Sequence, residues 1–394
     1  MASPTNSTAA VLSRKPEPVA VTGLKLTAFR NYGSAAIRFE PIPVVLTGDN
    51  GAGKTNLLEA VSFLSPGRGL RRARLGDVGR RPGDGTWAVA ATLVGPGGET
   101  EIGTGLALSP EGPERQRSVR INRVPATSSQ ALLDYVRVVW LAPAMDGLFT
   151  GPASDRRRFL DRLVLAIDPL HGDRVNAYER AMRSRNRLLE EGRNEPKWLD
   201  AIELQLAELG VAVAAARREC VSLLRDAIDE GHASGAFPAA VLGMIGTIEE
   251  KLGTGTATEV EDLVRRSLAA ARPADRAAGR TLAGPHLSDL AVVHGPKNAA
   301  AADCSTGEQK ALLIGLVLAH ARLVARMTGE TPVILLDEVA AHLDETRRNA
   351  LFDLLLDLGA QAFMTGTEPG PFAGLGDAAQ RFRVADGEVF SAAP

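Results

Sequence analysis

Apolar positions change their rhythm along this chain, and each rhythm predicts a different kind of element. Thr22 to Arg30 and Ala35 to Phe39 read as two short strands around a turn at Asn31-Tyr32-Gly33. Val44-Val45-Leu46 is a wholly apolar run suited to a buried strand. Over Asn56 to Leu64, Leu57, Ala60, Val61 and Leu64 recur at helical spacing. Trp87 to Val94 and Glu101 to Leu108 predict a hairpin that turns at Gly95-Pro96-Gly97-Gly98. Arg117 to Ile121 adds a strand, Ser128 to Leu133 a short helix, and Val136 to Leu141 a buried β-branched run.

From Ser154 the pattern turns helical and charged. Leu160, Leu163, Val164 and Ile167 share one face. Val175, Tyr178, Met182 and Leu189 fit a heptad seam that Arg185 interrupts. After a break at Gly192 to Pro196, the positions Ile202, Leu206, Leu209, Val213, Ala216, Cys220, Leu223 and Ala227 step by four and three, a coiled-coil rhythm. The two helices predict an antiparallel hairpin whose second member extends about 45 Å.

Val241 to Ile248 reads as a strand, and Glu259 to Ala271 as a helix followed by a loop to Thr281. Leu290 to Val293 is a further strand. Lys310 to Met327 is a long apolar helix, Val333 to Leu336 a strand, Asp344 to Leu358 a helix, and Gln361 to Met364 a buried strand. This alternation predicts an α/β fold with a largely parallel sheet covered by helices.

Candidate chemistry sits where these elements join. Gly48 to Thr55 reads GDNGAGKT, the G-x-x-x-x-G-K-[ST] pattern, between a strand and a helix. Gly48, Asp49, Asn50, Gly51, Ala52 and Gly53 form a loop whose backbone N–H groups can curl round an anion, at a helix N-terminus that favours negative charge. Lys54 is expected on the β- and γ-phosphates and Thr55 on Mg²⁺. Asp337-Glu338 ends the strand Val333 to Leu336, where an α/β sheet places ligand groups. Asp337 is expected to hold Mg²⁺ through its water shell, and Glu338 to activate water. Cys304-Ser305-Thr306-Gly307-Glu308-Gln309 is close to the signature sequence of ABC ATPases, with Ser305, Gly307 and Gln309 fitting and the other three departing. Ser305 and Glu308 also fit a capping box, and both readings hold together because a capped helix start is also an anion site.

Charge and composition change this picture little. The 394 residues carry a formal net charge of −2, so nucleic-acid binding requires a local patch. Pro66 to Arg81 is the densest basic run, with Arg68, Arg71, Arg72, Arg74, Arg80 and Arg81. It reads equally as a phosphate-facing DNA patch or a solvated loop. Cys220 and Cys304 lack metal-ligand spacing. No apolar run reaches transmembrane length, and residues 1–20 read as a disordered tail without a secretory signal core, which points to the cytoplasm.

FRNYGS at Phe29 to Ser34, the P-loop continued as TNLLEAVSFLSPGRGLR, SDRRRFLD at Ser154 to Asp161, AGPHLSDL, and CSTGEQKALLIGLVLAHA occur in that order over nearly the whole chain. Together they resemble the RecF family of bacterial recombination and replication-repair ATPases, which belongs with the SMC-like ABC ATPases. The resemblance implies an ABC-type P-loop ATPase head with an inserted short helical arm. The expected division is 1–20 tail, 21–152 head, 153–280 arm and 281–394 head. It also implies ATP and Mg²⁺ as cofactors and a head-to-tail ATP sandwich, in which Ser305, Gly307 and Gln309 of one copy meet the P-loop of another. Lys54, Glu338 and Ser305 would then carry a slow, DNA-stimulated hydrolysis. Arg68, Arg71, Arg72 and Arg74 are the expected DNA contacts, with Arg156 to Arg158 at the arm base as further ones. Implied roles are recombinase loading at gaps with RecR and RecO partners and the SOS response.

Departures fall at Leu287 and Ser288, where the family has a basic and an acidic residue, and at His342, where it has an acid. The rival readings are another SMC-like ABC ATPase with a structural or nuclease-partnered role, a membrane-transporter ATPase subunit, and a nucleotide-gated binding module without turnover. Transporter subunits carry a histidine after the last strand, where this chain reads Thr365-Gly366-Thr367.

Overall fold

The computed structural model describes residues 15–108, 115–191, 196–231, 235–340 and 343–392. In chain order the strands are β1 (Glu17–Pro18), β2 (Ala20–Phe29), β3 (Tyr32–Arg38), β4 (Val44–Thr47), β5 (Trp87–Gly95), β6 (Gly98–Leu108), β7 (Arg115–Ile121), β8 (Val124–Pro125) and β9 (Val138–Leu141). They continue as β10 (Ala240–Ile245), β11 (Asp289–His294), β12 (Ala299–Ala300), β13 (Glu330–Thr331), β14 (Val333–Leu336), β15 (Ala362–Gly366), β16 (Gln380–Ala385) and β17 (Glu388–Ala392). The helices are α1 (Lys54–Ser62), α2 (Ala153–Ile167), α3 (His171–Glu190), α4 (Pro196–Gly231), α5 (Thr247–Lys251), α6 (Ala257–Ala278), α7 (Thr306–Thr328) and α8 (Glu345–Leu358).

The described residues divide into two units. One lies within Met1–Asp146, Ala233–Phe237 and Leu313–Pro394, the other within Gly147–His232 and Pro238–Leu312. The breaks thus fall at 146/147 and inside α7, rather than at the expected 152/153 and 280/281.

The first unit holds two six-stranded sheets, ordered β17-β16-β4-β15-β14-β9 and β3-β2-β5-β6-β7-β8. In the former, β16, β4, β15, β14 and β9 run parallel and β17 closes the edge antiparallel. Val333 to Leu336 are all buried, as strands covered on both faces must be. The second sheet is antiparallel, and β5 alternates buried and exposed positions because one face meets water. Phe39 packs edge-on against Phe363 and Phe382 at 5.1 and 5.5 Å, which joins its strand region to the parallel sheet. Gln361 does the same with hydrogen bonds, accepting from Val21 N and donating to Val21 O and Glu40 O.

Part of the expected tail is ordered. Glu17 and Pro18 pair in parallel with Glu330 and Thr331, so the expected disorder of 1–20 is corrected for 15–20, and residues 1–14 lie outside the described part. By length and composition alone α7 is long and apolar enough to cross a membrane, but 72% of its apolar window is buried inside the protein.

In the second unit, α3, α4 and α6 pack around Tyr178, Leu206 and Leu268. The break expected at Gly192 to Pro196 falls at residues 192–195, outside the described part, with Pro196 opening α4. Arg185 does not interrupt the seam by pointing away. It is fully buried, with Nε on Glu203 (2.9 Å), Nη1 on Asp275 (2.7 Å) and Thr281 (3.0 Å), and Nη2 on the Leu268 carbonyl (2.8 Å). The helix expected to stop at Ala271 runs through Pro273 to Ala278. A capping box at Thr256 and Glu259 starts it, and Gly279 in the left-handed region ends it. Arg272 and Asp275 anchor the stretch around the proline to Glu203 and Arg185.

Candidate nucleotide site

After β4 the chain turns through Gly48 to Gly53 into α1. Glycine is required at two of these positions. A Cβ on Gly48 (φ 144°) would lie 2.1 Å from the Val384 carbonyl oxygen, and one on Gly53 (φ 121°) 2.6 Å from the Tyr32 hydroxyl. Lys54 is 4% exposed and donates to the carbonyls of Gly48 (2.6 Å) and Asp49 (2.9 Å), which holds its ammonium inside the curl. No side chain caps α1, so its first N–H groups and their dipole face the loop. A phosphate chain fits this cradle.

The loop is braced by the segment around Asn31 and Tyr32, which the sequence marked as a strand-connecting turn. Asn31 Nδ2 donates to Ala52 O (3.0 Å), the Tyr32 hydroxyl to Gly53 O (3.0 Å), and Asn56 Nδ2 to Asn31 Oδ1 (2.7 Å). Burial raises the Tyr32 phenol well above its ordinary pKa, so it stays a neutral donor.

Asp337 follows β14 and is 3% exposed. Its Oδ1 accepts from Thr55 Oγ1 (2.9 Å) and from Thr365 Oγ1 (2.7 Å). Burial raises its pKa, against the pull of those two hydroxyl donors. A hydroxyl and a carboxylate meeting at one point form the hard-oxygen pair that Mg²⁺ uses beside a phosphate, so these residues fit that ion. Glu338 sits at φ 54°, a left-handed conformation costing about 1–2 kcal/mol for a side-chain-bearing residue. Its N–H donates to Thr365 Oγ1 at 2.8 Å. Thr365 was read from the sequence only as the absence of a histidine.

At the start of α7, in the second unit, Ser305 N donates to Glu308 Oε2 (3.1 Å) and Glu308 N to Ser305 Oγ (3.4 Å), a reciprocal capping box. The Lys297 ammonium on Glu308 helps hold that carboxyl at about 2. Ser305, Thr306 and Gly307 are exposed. Gln309, expected on the nucleotide, is instead buried and donates to the carbonyls of Cys304 (2.8 Å) and Ala302 (3.3 Å), where it braces the turn. His342 lies outside the described residues.

Arg68, Arg71, Arg72 and Arg74 are all exposed. Arg71 is also tied down. Its Nη1 donates to Asn56 Oδ1 (2.5 Å) and Glu59 Oε2 (2.9 Å), and Arg30 takes both oxygens of that fully buried Glu59. Arg117 fastens the start of this loop by donating to the carbonyls of Phe63, Ser65 and Gly67, and burial pushes its pKa down to about 10. The arginines expected at the arm base need correction. Arg156 is spent on Asp289 and Arg157 on the Ser288 carbonyl, which leaves Arg158 half exposed beside Asp155. Ser288, one of the departures, accepts from Arg217 at 3.0 Å, while Leu287 is exposed.

A P-loop, a carboxylate-bearing parallel strand two places along the same sheet and a capped signature helix define an ABC-type ATPase of the SMC-like kind. Residues 20–384 match the family model for the RecF/RecN/SMC N-terminal domain. The DNA replication and repair protein RecF of Mesorhizobium japonicum is 57% identical over 374 residues, 95% of this chain and 98% of that protein. RecF of Rhizobium etli is 56% identical over 375 residues, 95% of this chain and all of that protein. The chain belongs to the RecF family. Among solved structures, the recombination mediator protein RecF with ATPrS in the RecFOR pathway is similar over 96% of this chain and all of that one, with a TM-score of 0.83 at 22% identity. An Smc head bound to the C-winged helix domain of ScpA is similar over 94% of this chain, with a TM-score of 0.53 at 16% identity. The expected ABC-type α/β fold is thus borne out.

Proposed function

We propose that this chain is a cytoplasmic, ATP-controlled DNA-binding ATPase of replication and recombinational repair, with a head and a short helical arm. The observation that carries the reading is the hydrogen bond from Thr55, at the end of the loop that also holds Lys54, to Asp337 after β14, with Thr365 tying Asp337 to the Glu338 backbone. In this reading the Gly48 to Gly53 amides and Lys54 hold the phosphates. Thr55 and Asp337 hold Mg²⁺, which supplies charge neutralisation on the phosphate oxygens when bound. Glu338 orients and deprotonates the attacking water.

Exposed Ser305, Thr306 and Gly307 offer a hydroxyl and a helix N-terminus, and a capped helix start remains an anion site. A second copy's nucleotide suits them, so ATP joins two heads and hydrolysis releases them. DNA then contacts Arg68, Arg72 and Arg74 through phosphates, with little dependence on sequence, and stimulates a slow turnover. A structure of this fold described as a recombination mediator of the RecFOR pathway supports RecR- and RecO-type partners; recombinase loading at gaps and a link to the SOS response rest on the family resemblance alone. The alternative of another SMC-like ATPase is disfavoured by near full-length coverage of RecF relatives.

The test is molar mass by light scattering without nucleotide, with ADP and with ATP, each with and without duplex DNA. Doubling with ATP is expected, and one unchanged mass throughout would overturn the sandwich.

A further inference from the structure

Thr365 ends up level with the carboxylate of the neighbouring strand, because β15 pairs with β14 in parallel with Met364 opposite Leu336. Its side chain is almost wholly buried, so its hydroxyl must find partners inside the protein. It finds two. Thr365 Oγ1 accepts the Glu338 N–H at 2.8 Å and donates to Asp337 Oδ1 at 2.7 Å. A hydroxyl has a single proton, so accepting from the amide leaves the carboxylate as the place for that proton. One side chain therefore orients two consecutive acidic residues by different means, the first through its carboxylate and the second through its backbone. The Thr55 hydroxyl shares Oδ1, and Oδ2 accepts no hydrogen bond among the described residues.

We propose that Thr365 is a positioning residue of the hydrolytic site, holding the Asp337 carboxylate and the left-handed turn at Glu338 in one geometry. This rests on the function proposed above. The hydroxyl does the positioning and the methyl only fills the strand. A residue needed merely for packing would show the opposite dependence, tolerating valine and suffering from serine.

The experiment compares Thr365→Val, Thr365→Ser and Glu338→Gln. Each is assayed for ATP turnover and for binding of a fluorescent ATP analogue in EDTA and in Mg²⁺. Thr365→Val should lower kcat about 10–100-fold and lose most of the Mg²⁺-dependent gain in affinity, while its EDTA affinity stays at the wild-type value. Thr365→Ser should keep both properties within about threefold. Wild-type turnover in the valine variant, or an equal loss in the serine variant, would overturn the inference while leaving the site intact, provided Glu338→Gln is slow. Wild-type turnover in Glu338→Gln would overturn the hydrolytic assignment and this inference with it.

Discussion

Arg156 clasps Asp289 through two hydrogen bonds of 2.8 Å each, Nε to Oδ1 and Nη2 to Oδ2. Its third nitrogen donates to the carbonyls of Leu148, Phe149 and Gly151. The fork geometry belongs to arginine alone. Arg156→Lys should therefore destabilise the protein by about 1–3 kcal/mol in urea unfolding, while the salt dependence of DNA binding stays unchanged. A shallower salt slope with unchanged stability would return Arg156 to the DNA surface.

Arg185 makes a stronger case. Replacing it with methionine takes the guanidinium away from Glu203 and Asp275, each about 1% exposed. Loss of one partner from a buried ionic cluster costs about 3–5 kcal/mol. Arg272 still reaches Glu203, so the deficit should centre on Asp275. Arg185→Met together with Asp275→Asn should recover part of it in the same unfolding assay.

Lys54→Met should abolish ATP binding by equilibrium dialysis, since the ammonium is the only side-chain cation held inside the loop among the described residues. Glu338→Gln should bind ATP, slow hydrolysis by at least about a hundredfold, and accumulate as a dimer. A dimer that dissociates at the wild-type rate would count against the water-activating role.

The basic loop needs careful choice of variants. Changing Arg71 to an acid would set a second carboxylate beside buried Glu59, so lost DNA affinity would be ambiguous. Arg68 and Arg74 make no ion pair among the described residues and give a cleaner test. Arg68→Ala with Arg74→Ala should weaken DNA binding uniformly across sequences and reduce the salt slope by about one per lost contact. Unchanged slope would remove them from the interface.

His286 predicts a pH effect on stability. Its Nδ1 faces the Tyr178 hydroxyl at 2.9 Å and its Nε2 the Thr281 carbonyl at 3.1 Å, which suits the neutral ring. Burial lowers its pKa; the Thr281 carbonyl and Asp275 oppose this, while Arg157 and Arg217 add to it. The unfolded chain then binds a proton at higher pH than the folded one, so stability is complete above about 6.5 and falls as the pH drops below it. Urea midpoints from pH 7.5 to 5.5 should show this slope, and His286→Gln should flatten it.

Much of the fold was legible because its signals are local. Val333 to Leu336 and Val44 to Leu46 read as buried strands from their apolar runs, and Asp344 as a helix start from its residue type. What escaped depended on distant partners. Periodicity treats Arg185 as a blemish, since the pattern cannot register four acceptors supplied by other segments. Pro273 argues for a helix end until Arg272 and Asp275 are seen anchored on either side. β16 and β17 carry too many polar residues to stand out, yet β16 pairs with β4. At the site, the glycines and acids were visible as motifs. Thr365, Tyr32 and Gln309 were not placed correctly, because each bonds a backbone group that any residue could provide, and the one side-chain partner among them, Asp337 for Thr365, lies on another strand.

The pairing of β16 with β4 also bears on how the molecule is made. Thr47 donates to the carbonyl of Phe382, 335 residues further along the chain, and the Val384 carbonyl presses against the first glycine of the phosphate loop. On a ribosome that neighbour does not yet exist when the loop emerges. The loop's backbone is therefore braced by a strand that is synthesised long after it, and its own neighbours in sequence do not supply that contact.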